Sequence, residues 1–367
     1  MRRSFVFLSA LFVFLSMSGR ALAADWPMFR GNALRTGNAA DTAAPARRFS
    51  GTVSWQMRMP AELQSSPAIG NGTIYVGCND GSLYAVRESD GKPLWSFSTG
   101  NWVTSSPALG GGLVIFGSYD GKVYALDAGT GALKWRFTTH NMVASSPAIA
   151  GGRVYFGSVD GNVYCVDTST GWEKWSYKAG REVYGSPSVA DGVVYVGNND
   201  GKMMAIDAST GRLKWRAIVG GPVVTGPAAA NGRLYFGSWD GTLYCADIKN
   251  QAMIWKHYSG GSIESSPLVA NGRVYFGNIR GTMTALSAES GGVLWRQETG
   301  ASISSSPSIS GNSLFFGNSV GEIYSLAADT GAAAWRISAG GAIAAAPAVG
   351  ANGIYAAGMD NVLRCIK

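Results

Sequence analysis

The sequence predicts an all-β fold, an eight-bladed β-propeller of four-stranded antiparallel blades. Two markers return every 40 residues without an insertion or deletion, one a tryptophan and the other a proline. A fixed period near 40, built from short apolar stretches and glycine turns, is typical of propeller blades. The tryptophans are Trp55, Trp95, Trp135, Trp175, Trp215, Trp255, Trp295 and Trp335. The prolines are Pro67, Pro107, Pro147, Pro187, Pro227, Pro267, Pro307 and Pro347.

One unit illustrates the pattern of strands. Its apolar stretches are Ala144–Ile149, Val154–Ser158, Val163–Asp167 and Glu173–Tyr177, and Gly-Gly, Asp-Gly and Ser-Thr-Gly separate them. β-Branched and aromatic residues bounded by such turns predict four strands joined by hairpins. A helix is excluded because each interior glycine would cost it about 1 kcal/mol.

The strand count predicts how the ring closes. After the last repeat tryptophan the chain supplies strands around Pro347, at Gly353–Ala357 and at Val362–Ile366, and no fourth. An unmatched stretch near the beginning, Thr52–Met59, carries Trp55 in the register of a fourth strand. We therefore expect the N-terminal strand to complete the last blade, which removes the free edges of the ring.

The first residues predict export. Arg2 and Arg3 precede the apolar run Phe5–Met17, and Ala-Leu-Ala follows at residues 21–23, so we expect a signal peptide over 1–23. The run is short against the roughly 20 residues of a membrane span. A soluble periplasmic or secreted protein is expected, and both general and twin-arginine export remain open.

Two segments follow the predicted signal peptide. Residues 24–50 form a leader without a repeat counterpart, in which Asp25–Gly31 could pack as a cap and Ala39–Ala46 is predicted to be a tether. Residues 51–367 form the propeller. The formal charge of +7 falls to +4 without the three arginines of the signal segment, and the remaining basic residues are scattered. We expect a monomer that binds no nucleic acid and has no transmembrane segment after processing.

One recurrent motif resembles a known family. Ala125–Trp135, ALDAGTGALKW, matches the A-x-D-x-x-T-G-x-x-x-W docking motif of quinoprotein propellers, as does Ala205–Trp215. Cys165–Trp175 departs at its first position, whereas Cys245–Trp255 lacks the Thr-Gly pair. The chain thus resembles the PQQ-repeat (pyrroloquinoline-quinone-repeat) superfamily over about residues 51–367. The resemblance implies that the eight repeat tryptophans dock neighbouring blades and have a structural role.

The resemblance implies two kinds of protein. Some members are dehydrogenases that hold the quinone and a calcium ion over the central axis, and others are non-catalytic propellers that bind partners, such as the outer-membrane β-barrel assembly factor. The dehydrogenases generally carry two adjacent cysteines over the quinone. Here Cys78, Cys165, Cys245 and Cys365 are far apart in sequence, and only a disulfide between Cys78 and Cys365 stays open.

No catalytic constellation is found. The recurrent Asp-Gly aspartates suit hairpin turns, the Ser-Ser-Pro serines occupy a repeated strand position, and the two histidines lack metal-ligand spacing. The sequence therefore predicts no catalytic residue, metal or cofactor and favours a non-enzyme. PQQ with calcium is the alternative, with Arg181 and Glu264 as weak candidates for cofactor binding.

Residues that interrupt the repeat predict the functional surface. In a propeller, the connections between blades share a rim with the Asp-Gly turns. Aromatic and arginine side chains there favour an interface. We thus predict an exported scaffold that binds a protein or another cell-envelope component, and Trp102, Trp239 and Tyr119 leave carbohydrate binding as a second alternative. The predicted rim residues are Trp102, Tyr119, His140, Arg181, Glu182, Tyr184, Trp239, Glu264 and Arg280.

Overall fold

The computed structural model describes residues 26–42 and 49–367, so the predicted signal peptide lies outside the described residues. Those residues form eight four-stranded antiparallel sheets, and in seven of them the strand order follows the chain. The first strands of successive blades are neighbours around a central channel. These features confirm the predicted eight-bladed propeller. Within the described ranges, no helix has the length and apolar character needed to cross a bilayer.

The strands are short and recur at the same places in every repeat. The first of them, β1 (Val53–Arg58), belongs to the last blade. Blades 1 to 4 consist of β2 (Ala68–Gly70), β3 (Thr73–Gly77), β4 (Ser82–Arg87), β5 (Pro93–Ser98); β6 (Ala108–Gly110), β7 (Leu113–Gly117), β8 (Lys122–Asp127), β9 (Leu133–Thr138); β10 (Ala148–Ala150), β11 (Arg153–Gly157), β12 (Asn162–Asp167), β13 (Glu173–Lys178); and β14 (Ser188–Ala190), β15 (Val193–Gly197), β16 (Lys202–Asp207), β17 (Leu213–Ile218).

Blades 5 to 8 repeat the arrangement, and the last of them has three strands from the C-terminal end of the chain. They consist of β18 (Ala228–Ala230), β19 (Arg233–Gly237), β20 (Thr242–Asp247), β21 (Met253–Tyr258); β22 (Leu268–Ala270), β23 (Arg273–Gly277), β24 (Thr282–Ser287), β25 (Val293–Glu298); β26 (Ser308–Ser310), β27 (Ser313–Gly317), β28 (Glu322–Ala327), β29 (Ala333–Ser338); and β30 (Ala348–Val349), β31 (Ile354–Ala357), β32 (Val362–Ile366).

The ring closes as predicted, with β1 completing blade 8. β1 pairs antiparallel with β32, so that Trp55 lies opposite Cys365. Thr52 and Lys367 exchange backbone hydrogen bonds of 3.0 and 2.8 Å. The first and last segments of the propeller are thereby joined by the same kind of ladder that holds the other blades together.

The repeat tryptophans lie between blades. The Trp95 indole N–H donates to the Ala128 carbonyl of the next blade at 3.2 Å. Gly131, with φ +74°, lies flat against the ring, where a Cβ would be only 2.7 Å from Trp95 Cδ2. Seven indoles donate across a junction in this way: Trp55 to Glu88, Trp95 to Ala128, Trp135 to Thr168, Trp175 to Ala208, Trp255 to Ala288, Trp295 to Ala328 and Trp335 to Phe49.

The leader closes the central channel at one end. The first strand of each blade is a sheet edge whose unpaired N–H groups face the channel and need acceptors. Six of them donate to carbonyls of the leader: Ile69 to Trp26, Leu109 to Pro27, Val189 to Ala33, Ala229 to Leu34, Val269 to Thr36 and Ile309 to Gly37. Ala39–Thr42 then forms a 3-10 turn with Ala39 buried, so this part of the tether predicted for Ala39–Ala46 is packed on the propeller, and the rest of it lies outside the described residues.

Arg35 fastens the leader from within. Its guanidinium is fully buried and donates to the carbonyls of Phe29, Ser146, Pro147 and Pro187 at 2.6 to 3.0 Å. Burial away from water lowers the pKa of Arg35 to about 9. The leader is therefore an integral part of the propeller, because Arg35 binds backbone carbonyls of two blades.

Candidate functional site

The Asp-Gly turns and the connections between blades meet on one rim, as propeller topology requires. At the start of blade 1, Asn79 N–H donates to Glu62 O at 3.0 Å, and Val103 N–H donates to Cys78 O at 3.2 Å. We call this surface the Asp-Gly rim; it comprises the turns after the second strands and the connections after the fourth strands. The turns between third and fourth strands lie on the opposite rim.

The aspartates of the Asp-Gly rim are engaged in local hydrogen bonds. Asp120 accepts from Lys122 N–H at 3.0 Å, from the Tyr124 hydroxyl at 2.6 Å and from Gly100 N–H of the preceding connection at 3.0 Å. Partial burial acts to raise the pKa of Asp120, but the bonds from Tyr124 and Gly100 outweigh it and hold that pKa below its ordinary value. The described residues contain no group of three or more histidine, cysteine or acidic side chains placed to bind a metal.

A first aromatic cluster lies on the rim above blades 1 to 3. The rings of Trp102 and Tyr119 are 5.9 Å apart with an angle of 32° between them, and Trp102 is 48% exposed. Tyr184 is exposed nearby; partial burial raises its pKa, and Tyr119 and Glu182 add to the rise. The structure thus pairs Trp102 with Tyr119 and places Tyr184 on the same rim, near Tyr119.

A second apolar cluster lies on the same rim above blades 5 to 7. Trp239 is 44% exposed, and its carbonyl accepts from Ser262 at 2.8 Å. The next residue back in that connection, Gly261, packs so closely against Arg280 that a Cβ would be 2.6 Å from Arg280 Cγ. Exposed Ile279 lies beside them, because the same Cβ would be 3.4 Å from Ile279 Cγ1, and Val320 is exposed in the corresponding turn of the next blade.

Sequence reasoning missed these two aliphatic residues. Ile279 occupies the turn position that holds Asn79 and Asn199 in other blades, and Val320 occupies the position of Asp80. The signal available for Val320 was an aliphatic residue at a turn position that is charged in every other blade. The position of Ile279 also holds Val159 and Met359, so it gave no such signal.

The other predicted rim residues are dispersed. His140 is exposed, and only its backbone N–H is engaged, with Asp160 at 3.0 Å. Arg181 is exposed near Asp200. The pKa of Asp200 lies below its ordinary value mainly because Lys202 donates a hydrogen bond to it, and the positive charge of Arg181 makes a smaller contribution. Glu182 accepts a hydrogen bond from the Asn199 side chain at 3.4 Å. These three side chains do not converge on one site.

Glu264 lies at the mouth of the axial channel, above a cavity of about 180 Å³. Burial by the channel wall raises its pKa. Below it, serine hydroxyls form a chain of inter-blade bonds: Ser66 N–H donates to Ser106 Oγ, and Ser106 N–H to Ser146 Oγ, both at 3.0 Å. Phe29 of the leader forms part of the lining. The repeated serines thus join blades.

The channel does not fit a quinone with calcium. Glu264 is the one acidic residue in the lining and no basic residue accompanies it. The Arg35 side chain already donates to backbone carbonyls. Arg181, the second residue predicted to bind the cofactor, lies near Asp200.

The four cysteines are free and buried, so the disulfide left open between Cys78 and Cys365 is not formed. Burial raises the pKa of the Cys78 thiol to about 11 and that of Cys165 to about 12. A thiol of such high pKa is a poor nucleophile at neutral pH. The cysteines are core residues and provide no covering disulfide for a cofactor.

Family models match almost the whole described propeller. A model of the β-propeller of β-alanine-activating enzyme matches residues 42–230, more than half of the chain, and a PQQ-repeat model of outer membrane protein assembly factor BamB matches residues 217–367. The chain belongs to the β-propeller family that the first model describes, and it is a PQQ-repeat propeller that resembles BamB. The match to a curated relative is short: 34% identity over 50 residues with BamB of Nitrosomonas eutropha, 14% of this chain and 12% of that protein.

Solved structures share the fold of this PQQ-repeat propeller across different functions. BamB from Moraxella catarrhalis has a TM-score of 0.75 at 20% identity, over 86% of this chain and 98% of its own. A europium-containing methanol dehydrogenase has a TM-score of 0.79 at 14% identity, over 91% and 89%. The computationally designed protein Ika8 has a TM-score of 0.76 at 18% identity, over 86% and 99%. At these identities the likeness concerns the fold alone.

Proposed function

We propose that this PQQ-repeat propeller is a non-catalytic, exported scaffold that binds a protein of the cell envelope through its Asp-Gly rim, as an assembly factor of the BamB type. The observation that carries the proposal is the pair of exposed apolar clusters on that rim, one around Trp102 and the other around Trp239 and Arg280. Aromatic and arginine side chains are the residues that contribute most to protein interfaces.

The family matches also support a role as an assembly factor. One family model and the curated relative both carry the description of an outer membrane protein assembly factor. The closed axial channel supports a role for the rim, because the leader fills the space beside the axis and leaves a cavity of about 180 Å³. A rigid ring with minimal loops is well suited to present two separated patches at a fixed spacing.

Photocrosslinking tests the binding surface. A benzophenone amino acid is placed at Trp239 in full-length protein in its native bacterium, and the same probe at Trp172 is the control. Trp172 is 74% exposed and lies in a turn of the opposite rim. We expect one defined protein adduct from position 239 and none from position 172. Equal adducts from both positions, or an adduct to polysaccharide alone, would contradict the proposal.

N-terminal sequencing of the protein recovered from the periplasm or medium tests export. Cleavage after Ala23 predicts Ala24 as the first residue. Recovery of the full chain with Met1 from the cytoplasm would contradict export while leaving the rim experiment unaffected.

A further inference from the structure

One blade junction lacks the docking arrangement of the others. Seven repeat indoles donate to a carbonyl of the next blade, but in the described part of the chain Trp215 donates to none. The tyrosine beside it shows the same loss. Tyr155 and Tyr235 donate to Ala208 and Ala288 of the following blade at 3.3 and 3.2 Å, whereas Tyr195 has no acceptor among the described residues.

The cause is a substitution in the facing turn. The facing turns of the other seven junctions have a glycine, preceded by threonine in four of them, whereas the turn after β20 has Asn250 and Gln251. The equivalent Gly211 lies so close to Trp175 that a Cβ would be 2.7 Å from the ring. Gln251 adopts the same left-handed conformation, with φ +60°, but carries a Cβ, so its turn has to lie farther from Trp215.

The greater distance leaves a cavity of about 230 Å³ between blades 4 and 5. Its walls include Val193, Leu234 and Ile248, and the two unpaired donors, Trp215 and Tyr195, line it. Tyr195 is only 2% exposed, and burial raises its pKa to about 12, so its hydroxyl keeps its proton at neutral pH. Neither donor atom is fully buried, so both are reachable from the cavity, where the acceptor of a bound molecule would take the place of solvent.

The lining also indicates the charge of a ligand. Two carboxylates, Asp191 and Asp247, and two ammonium groups, Lys214 and Lys249, border the cavity and balance one another. Lys214 is further paired with Asp207 at 3.5 Å. Neither an anion nor a cation is favoured by this set.

We propose that this cavity binds a small, flat, uncharged molecule that carries a carbonyl group. The apolar walls and the indole contact its body, and its carbonyl oxygen accepts hydrogen bonds from Trp215 and Tyr195. A cavity of about 150 Å³ accommodates a benzene ring in other proteins, so 230 Å³ has room for a ring with an amide substituent. This site is separate from the Asp-Gly rim and does not depend on the function proposed for it.

Benzamide is the probe for a direct test in solution. The full chain is labelled with ¹⁵N-tryptophan, and the Trp215 indole signal is assigned from its loss in Trp215→Phe. We expect benzamide to shift that signal downfield and saturably, and to leave the Trp175 indole unchanged. Toluene, which lacks an acceptor, and benzoate, which is charged, should each bind at least about fivefold more weakly.

Two variants test the geometry. Tyr195→Phe should weaken benzamide binding about three- to tenfold, because one donor is lost. The double variant Asn250→Thr with Gln251→Gly restores the docking turn, so it should abolish binding and raise the Tm by about 2–4 °C. A repaired variant that still binds, or toluene and benzamide shifting Trp215 equally, would overturn the proposal, as would no saturable shift with benzamide.

Discussion

The contact between a glycine turn and the indole of the preceding blade can be isolated with a matched pair of substitutions. Gly131 and Gly72 have almost the same backbone conformation, with φ of +74° and +71°. A Cβ on Gly131 would be 2.7 Å from the Trp95 ring, whereas a Cβ on Gly72 would meet nothing within 4 Å. The two Gly→Ala variants therefore share the backbone penalty and differ in the steric one.

The expected losses follow from these two terms. A left-handed alanine costs about 1–2 kcal/mol, which is the whole effect expected for Gly72→Ala. Forcing a methyl group against a packed ring adds about 1–3 kcal/mol, so Gly131→Ala should lower the free energy of unfolding by about 2–5 kcal/mol. Urea denaturation followed by far-UV circular dichroism measures both losses in the same protein.

A third variant identifies the contact that is responsible. In a Trp95→Ala background the ring is absent, so the cost of Gly131→Ala should fall to that of Gly72→Ala. Equal losses for the two glycines in the parent protein would refute the steric reasoning. An undiminished cost after removal of the ring would refute the assignment to Trp95.

Three further perturbations have defined outcomes. Deleting residues 51–59 removes the closing strand with Trp55, and should cost at least about 3–5 kcal/mol in a urea titration. Arg35→Met leaves several buried carbonyls without a donor and should cost about 2–4 kcal/mol, with faster proteolysis of the leader. Burial raises the pKa of Glu264, so the folded state holds that proton more tightly and stability falls as pH rises through the raised value. Glu264→Gln should therefore be more stable than the parent at pH 7, with the difference in Tm vanishing below about pH 4.

Two exposed residues of the propeller provide matched controls for the Arg35 and Glu264 variants. Arg216→Met, on the exposed outer strand of blade 4, should leave the leader protected, and equal proteolysis in both arginine variants would contradict the role of Arg35. Glu173→Gln changes an exposed carboxylate and should show no gain at pH 7. A deletion variant that folds with unchanged stability would contradict closure by β1.

The sequence identifies individual residues of the predicted rim but not how they are grouped in space. Trp102, Tyr119 and Trp239 were identified because they interrupt a strict repeat; on the expected rim Trp102 and Trp239 are exposed and Tyr119 is half-buried. Their grouping into two clusters depends on which blades are neighbours and on how far each side chain extends. Ile279 was missed because a single aliphatic residue in a turn carries little weight without its spatial neighbours.

The sequence by itself determined the number of blades, the position of each strand and the closure by Thr52–Met59. These features depend on local periodicity and turn chemistry, which can be identified in the linear sequence. Only the tertiary structure decided that the leader fills the channel, because Arg35 reaches backbone carbonyls more than a hundred residues away. It also decided that the loss of Thr-Gly at Gln251 leaves Trp215 unpaired beside a cavity. That outcome depends on the distance between one Cβ position and a ring in another blade, which no pattern in the chain specifies.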